Sequence, residues 1–427
     1  MKLKVIGIFA VLLCPIFSWA ITIKIPSDQP NIQAGIDNAG DGDTVLVAPG
    51  TYTGTGNRDI NTGGKQVRVM SESGPEYTLI SCDGMDQERH IGFFFNSGED
   101  SETVIDGFRI DGALGETLSY WQYAAVSCSS STPIVLNCVI TNNYGSGVLS
   151  VDWQSRPYFR NCEISDNGGH GIVLKTGNIE LANCVISNNN LDGVNIDFSG
   201  ELRMDSCLVT RNGGTGVYAY TFFEDFLIYN CTFYDNYRGL YWDFNYPKNG
   251  SASMQDRYNV LEVRGNIFAY NHTKGIQSYF WDSDDSIALC NNSYDNPEGN
   301  WDSGPYFAGD EFGNISADPM FCDTASGDFR ISALSPCNAP NNGCGILMGA
   351  MATGCDFICG DVNVDGDINL LDILFLIDYV YNNPPGPAPD PIESGDVNAD
   401  GNINLLDILY LIEFEYGEPT GPEPVCP

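Results

Sequence analysis

Five cysteines, Cys138, Cys162, Cys184, Cys207 and Cys231, follow one another at intervals of 24, 22, 23 and 24 residues. Five residues after each comes an asparagine: Asn143, Asn167, Asn189, Asn212 and Asn236. Nine residues after the cysteine there is usually a glycine, at Gly147, Gly171, Gly193 and Gly216, with Gly239 one step early. The series runs on without the cysteine through "GNIFAYNHTKGI", which holds Asn271, and more loosely through "NNSYDN", which holds Asn296. A fixed period marks one structural unit stacked many times. Leucine-rich repeats need a leucine framework that is absent, and propeller blades need about 40 residues or more. One coil of a parallel β-helix needs roughly the observed length, with short strands and tight turns, and this is the predicted architecture.

Stacked coils place equivalent residues directly above one another at the strand spacing of about 4.8 Å. Cysteine and the residue two positions later (Ile140, Ile164, Ile186, Val209, Phe233) share a strand face and point inward. Asparagine is expected at the turn, because it tolerates the left-handed conformation there. Its amide both donates and accepts, so stacked copies hydrogen-bond to each other. Glycine is expected to supply the next bend.

The chain opens "MKLKVIGIFAVLLCPIFSWA", two lysines and an apolar run ending in Ser18 and Ala20 at small-residue positions. Residues 1–20 therefore read as a secretory signal peptide, too short for a membrane span. The rest carries a strong acidic excess, since the whole chain has a formal net charge of −37 and the leader removes two lysines. Such a field repels nucleic acid and anionic membranes and suits a surface that holds divalent cations. Export makes disulfides the first expectation for cysteine. In-register rungs, however, hold their Cβ atoms wider apart than the ~3.8 Å of a relaxed disulfide. The ladder cysteines are therefore predicted to be free, buried thiols that pack as small hydrophobes. Cys322, Cys337, Cys344, Cys355, Cys359 and Cys426 lie outside the ladder and are expected to be bonded, with the pairing open.

Before the regular coils stands "IPSDQPNIQAGIDNAGDGDTVLVAPGTYTG", where Ile32 and Ile36 suit a short amphipathic helix capping the core and "DTVLVAPGTY" reads as the first strand. With "KQVRVMSESGPEYTLISCDG" and "GEDSETVIDGFRIDGA", these words resemble right-handed parallel β-helix repeat proteins with a pectin-lyase-like fold. The resemblance covers residues 21–355 and closes with "SADPMFCDTASGDFRISALSPC", which is similar to their last-coil segment. It implies the fold and leaves the activity open, since that scaffold carries lyases, hydrolases, epimerases, adhesins and binding proteins.

Residues 356–427 read as a second domain. "GDVNVDGDINLLDILFLIDYVY" from Gly360 returns as "GDVNADGNINLLDILYLIEFEY" from Gly395, joined by the proline-rich "NNPPGPAPDPIES". Each copy carries Asp, Asn, Asp and Gly at loop positions 1, 3, 5 and 6 and an acid at 12, the pattern of an EF-hand calcium loop except for Asp in place of Glu. Two calcium sites are predicted. One uses Asp361, Asn363, Asp365, the Asp367 carbonyl, Asn369 and Asp372; the other uses Asp396, Asn398, Asp400, the Asn402 carbonyl, Asn404 and Asp407. A loop followed by a helix, in duplicate, with Asp closing the loop, resembles the type I dockerin domain. That resemblance implies a cohesin-bearing scaffold protein as partner and, by association, polysaccharide breakdown. Leu370-Leu371 and Leu405-Leu406 stand where familiar dockerins have small polar residues, so these helices are expected to bury against each other and against something more.

The ladder also locates candidate chemistry. The "GGHG" around His170 resembles a piece of the polygalacturonase signature, but His170 fills the slot held by Ser146, Asp192 and Thr215 in other coils and reads as a turn residue. Beyond each glycine, residues alternate. Ile172, Leu174, Val194, Ile196, Val217 and Ala219 point inward; Val173/Lys175, Asn195/Asp197, Tyr218/Tyr220, Tyr241/Asp243 and Gln277/Tyr279 point outward. Lys175, Tyr218, Tyr220, Tyr241 and Tyr279 thus form a candidate sugar-contacting strip. Asp197 and Asp243, two coils apart, are a candidate acid and base for inverting glycoside hydrolysis. Lyase chemistry is disfavoured because the strip shows one base, Lys175, and no arginine. Two functions stay open: an exported protein of polysaccharide binding or catabolism that docks through a calcium module, or a non-catalytic surface protein using the β-helix as a rigid adhesive scaffold.

Overall fold

The computed structural model describes residues 20–82, 89–114, 124–198, 200–221, 225–243, 261–279, 286–301, 312–355, 358–363, 365–382, 386–389, 392–417 and 421–426. The leader assigned to residues 1–20 falls, but for Ala20, outside them. Three parallel sheets of 11, 10 and 9 strands, here A, B and C, build a β-helix, and from Arg68–Ser71 onward the chain visits A, B and C in turn on each coil. Strand Thr22–Ile25 precedes and pairs with Thr44–Val47, so the strand read as first is second in sheet A. Helix α1, Ile32–Asn38, caps the core with Ile32, Gly35 and Ile36, and Asn31 caps the helix by accepting from the Ala34 N–H.

The asparagine column forms as expected. Asn143, Asn167, Asn189, Asn212, Asn236, Asn271 and Asn296 pass one amide-to-amide hydrogen bond up the rod at 2.9–3.3 Å. The second amide hydrogen goes to a backbone carbonyl, Ile140 for Asn167 and Ile164 for Asn189. These side chains are buried, and each is fully satisfied, which is what makes a buried amide tolerable. The left-handed turn residue, however, is the one before the ladder asparagine: Asn142, Asp166, Asn188, Arg211, Asp235 and Tyr270, with φ of 54–56°. The ladder asparagine stacks and its neighbour bends.

Glycine too has a different reason from the one expected. Gly147, Gly171, Gly193 and Gly216 do not take positive φ; the space beside the ladder excludes a side chain. A Cβ on Gly171 would lie 2.6 Å from the Gly193 carbonyl oxygen and 2.9 Å from Asn189 Nδ2.

Cys138, Cys162, Cys184, Cys207 and Cys231 are free and buried, as predicted. Their column does not stop where the cysteines do. The Cys231 N–H donates to Asn266 Oδ1 at 2.7 Å, and Asn266, Asn291 and Asn314 continue as a second amide ladder. The step from Cys231 to Asn266 takes 35 residues, which hid the continuation from the sequence. Outside the ladder the bonds are Cys290–Cys344, Cys322–Cys355 and Cys359–Cys426. The expectation that Cys337 is bonded is corrected: it is free, fully buried with Met348 and Ile331, and Cys290 pairs instead. The segment carrying Cys322, Cys344 and Cys355 folds back over sheet B. There Phe321 and Phe329 meet Tyr234 edge-on, and the Ala350 N–H donates to Thr232 Oγ1 at 3.0 Å.

In the second module α2 (Leu370–Tyr381) and α3 (Leu405–Tyr416) pack through Ile373, Leu376, Ile408 and Leu411, with Val362 and Val397 beneath. Leu370, Leu371, Leu374, Leu405, Leu406 and Leu409 are about half exposed, at 48–57%. The helices bury one face against each other and leave a second apolar face open. Among the described residues no helix is long and apolar enough to cross a membrane.

Candidate functional site

On sheet C the outward residues align as the period demands. Val173, Asn195, Tyr218, Tyr241 and Gln277 form one column, and Lys175, Asp197, Tyr220, Asp243 and Tyr279 the next. The Tyr218 and Tyr241 rings stack 5.0 Å apart and 5° from parallel. The aromatic rung exists because both tyrosines stand at the same register position of adjacent strands, where side chains sit about 4.8 Å apart. Burial lowers the Lys175 ammonium, and the Asp197 carboxylate beside it acts in the opposite direction. Asp197 and Asp243 are two rungs apart, about 9.6 Å between backbones. The side chains of Asp243 and Tyr279 lie outside the described residues.

Two features of the strip depart from the sequence reading. It is shorter: Val173 packs with outward Ala124 and Leu149 of the preceding coils, and Gln277 is also buried, leaving the coils of Asn195 to Tyr241 accessible. It also holds an arginine. Arg238 at the strand start places its guanidinium 4.8 Å from the centre of the Tyr241 ring, a cation–π contact. His170 sits in its turn column, where its N–H donates to Ser146 Oγ and its Nδ1 lies 3.2 Å from Asp192 Oδ2.

A second charged group had no signature in the repeat. On the outer side of sheet A, Arg156 pairs with Glu180 and Glu201, and Arg203 Nε lies 2.6 Å from the same Glu201, which is buried. Tyr229 donates to Glu262 at 2.8 Å, and burial, then this carboxylate, pushes its phenol up to about 12. Arg156 and Glu201 come from the connections into sheet A, whose sequence does not repeat.

In the first duplicated loop, Asp361 Oδ1 and Oδ2 accept from the Asp365 and Gly366 N–H groups at 3.0 and 2.8 Å, and Asp372 Oδ2 accepts from the Asn369 N–H at 2.8 Å. Carboxylate oxygens of Asp361, Asp365 and Asp372 all lie within 4.8 Å of one another. The second loop repeats the pattern, with Gly401 donating to Asp396 and Asn404 to Asp407. Gly366 and Gly401 take positive φ of 94° and 83°, the sharp turn these loops need. Asn369 and Asn404 act as helix N-caps, accepting from the Leu371 and Leu406 N–H at 2.8 and 2.9 Å.

The donor set fits calcium. Hard oxygens converge, Asp407 Oδ1 is buried with no hydrogen-bond partner, and burial raises both the Asp372 and the Asp407 carboxyls. No Lys, Arg or His follows Arg330, so no side-chain cation within the module can balance these acids.

Residues 36–176 and 130–293 match the family model for the right-handed beta helix region, and the chain belongs to that family. Residues 359–414 match the dockerin type I domain, whose members are generally calcium-binding. Among solved structures, pectate lyase Pel9A aligns at 14% identity over 79% of this chain and 97% of that one, with a TM-score of 0.49. The A-module of the Azotobacter vinelandii mannuronan C-5 epimerase AlgE4 aligns at 17% identity over 65% and 95%, with a TM-score of 0.36. The catalytic unit of the GH87 alpha-1,3-glucanase of Streptomyces thermodiastaticus aligns at 14% over 70% and 68%, with a TM-score of 0.37. The curated proteins contain no match.

Proposed function

We propose that this is an exported protein of polysaccharide binding or catabolism, organised as a signal peptide (1–20), a β-helix (21–355) and a docking module (356–427). The β-helix meets its glycan on sheet C, and the module, loaded with two calcium ions, attaches the protein to a cohesin-bearing scaffold. The observation that carries the glycan reading is the stacked pair Tyr218–Tyr241 with Arg238 against it, a partly exposed aromatic rung beside a guanidinium, of the kind that sugar rings contact. Lys175, Tyr220 and Tyr279 extend the contact along the rod.

If the bound chain is cleaved, we assign the chemistry to Asp197 and Asp243. Carboxyls about 6.5–9.5 Å apart leave room for a water, so one protonates the leaving oxygen and the other activates the water. The calcium ligands are those of the two loops; the ions neutralise converged carboxylates and hold the loops against their helices.

The test is the full exported chain, with calcium, on a panel of neutral and acidic polysaccharides. Reducing-sugar release that Asp197→Asn abolishes supports hydrolysis. Ultraviolet absorbance from unsaturated ends would replace hydrolysis by elimination. Binding without any product assigns the non-catalytic scaffold, and neither binding nor product rejects the glycan reading. Capture by an immobilised cohesin, lost with a calcium chelator, tests the module separately.

A further inference from the structure

A second groove lies on sheet B, away from the tyrosine platform, and its cause is a single irregular corner. From sheet A to sheet B the chain takes two residues at every corner except one; between Arg68–Ser71 and Thr78–Ser81 it takes six. That insertion is held in shape by Ser71, whose Oγ accepts from the Ser73 and Gly74 N–H groups at 3.1 and 2.9 Å and meets Thr78 Oγ1 at 2.6 Å. Pro75 and Glu76 at its tip overhang the outer face of the following coils. Beneath them lie two cavities of about 380 and 390 Å³ that share Pro75, Val139 and Glu163, so they form one trough along the rod.

Arg109, Val139, Glu163 and Val185 stand in register on successive strands of its floor. The Arg109 side chain has no hydrogen bond or ion pair among the described residues, although Glu76, Glu163 and Asp166 line the same cavity. One border is the exposed row Asn137, Asn161 and Asn183, where Asn161 Nδ2 donates to Asn137 Oδ1 at 3.2 Å.

We propose that this trough binds a segment of a neutral glycan. Three carboxylates against one guanidinium, on a strongly acidic protein, repel a polyuronate or other polyanion. A peptide strand is disfavoured because every strand beneath is already paired on both sides, and strand addition needs a free edge. A hydroxylated chain suits all that is present. Arg109 and the asparagine amides donate, the carboxylates and amide oxygens accept, and Val139, Val185 and Pro75 offer apolar contact to C–H faces. The amide row repeats at the rung spacing of about 4.8 Å, similar to the advance per residue of an extended β-1,4-linked pyranose chain. The trough would hold the polymer parallel to the rod, independently of sheet C.

The experiment is calorimetric titration of the full chain with cellohexaose, xylohexaose, mannohexaose and hexagalacturonate. The variants are Arg109→Ala with Glu163→Gln, Tyr218→Ala, and the two combined, each checked for an unchanged melting curve. Both groove side chains reach solvent, so the fold should tolerate their loss. The expected result is that at least one neutral hexasaccharide binds and weakens about tenfold or more in the groove variant, the loss of one or two hydrogen bonds to charged groups. In the Tyr218→Ala background, where the sheet C contact is removed, the groove variant should still weaken that binding about tenfold. Failure of every neutral hexasaccharide to bind, binding indifferent to the groove variant, or groove-dependent binding of hexagalacturonate alone would overturn the proposal. A ligand lost with Tyr218 but not with Arg109 would place glycan contact on sheet C only, leaving that reading standing while this one falls.

Discussion

Two adjacent asparagines do different work, and substitution should separate them. Asn189 donates to Ile164 O at 3.1 Å and Asn212 Oδ1 at 2.9 Å, and accepts two hydrogen bonds from Asn167. Asn189→Ala leaves several of these buried groups unpaired, and a loss of about 3 kcal/mol in denaturant unfolding is expected. Asn188 holds φ of 54° at the corner; Asn188→Gly should be nearly neutral and Asn188→Ala should cost about 1 kcal/mol. Equal costs at both positions would contradict the division of roles. The sequence told that asparagine belongs at the corner, because the period is visible in any coil. Which asparagine bends and which stacks was not legible, since "NN" offers both residues the same chemistry and only the inward direction of the second decides. The same holds for the glycine column, whose reason is a carbonyl and an amide of the next coil.

Each thiol in the ladder is closed off by the coil above and below it. Titration of the denatured, unreduced chain beginning near Ile21 should find eight free thiols, and the native protein should show none reactive. Burial pushes the Cys337 thiol up to about 11 from an ordinary 9.0. A thiol kept protonated in the fold favours the fold fully below its unfolded pKa and loses that contribution as pH rises through the folded one. The melting temperature should therefore fall between about pH 9 and 11, and Cys337→Ala should flatten the fall; a melting temperature constant over that window would argue against it.

In the second module the elements were legible because the loop pattern fixes residue types at fixed offsets. The cap role of Asn369 and Asn404 was not, because position 9 serves a ligand and a helix start equally well. Calorimetry should count two calcium ions on the whole chain, one on Asp361→Ala and one on Asp396→Ala; an unchanged count in either variant would contradict that loop's assignment. Chelation should lower the module's stability and expose the α2–α3 core.

Across the whole molecule, the fold was legible to the extent that it repeats. Twenty-odd residues per coil marked a parallel β-helix with an inner thiol column and an outer tyrosine column, while the number of sheets emerged only with the structure. What the period does not encode stayed hidden: the Asn266 ladder behind a 35-residue step, the paired arginines of sheet A, and the overhanging corner that shapes the sheet B trough. These arise from connections and insertions, which each coil writes differently. Function inherits the same split, because a rod made of equal rungs displays whatever side chains occupy one register as a continuous track.

The display is measured most directly by affinity electrophoresis of the full chain in a polysaccharide that retards it, before and after Tyr218→Ala and Tyr241→Ala together. Both rings are partly exposed and stack on each other at 5.0 Å outside the inner core, so their removal spares it. Stacking of sugar on this pair predicts a loss of roughly tenfold or more, about 1.4 kcal/mol, with an unchanged melting temperature; full retention of affinity in the double variant would contradict it.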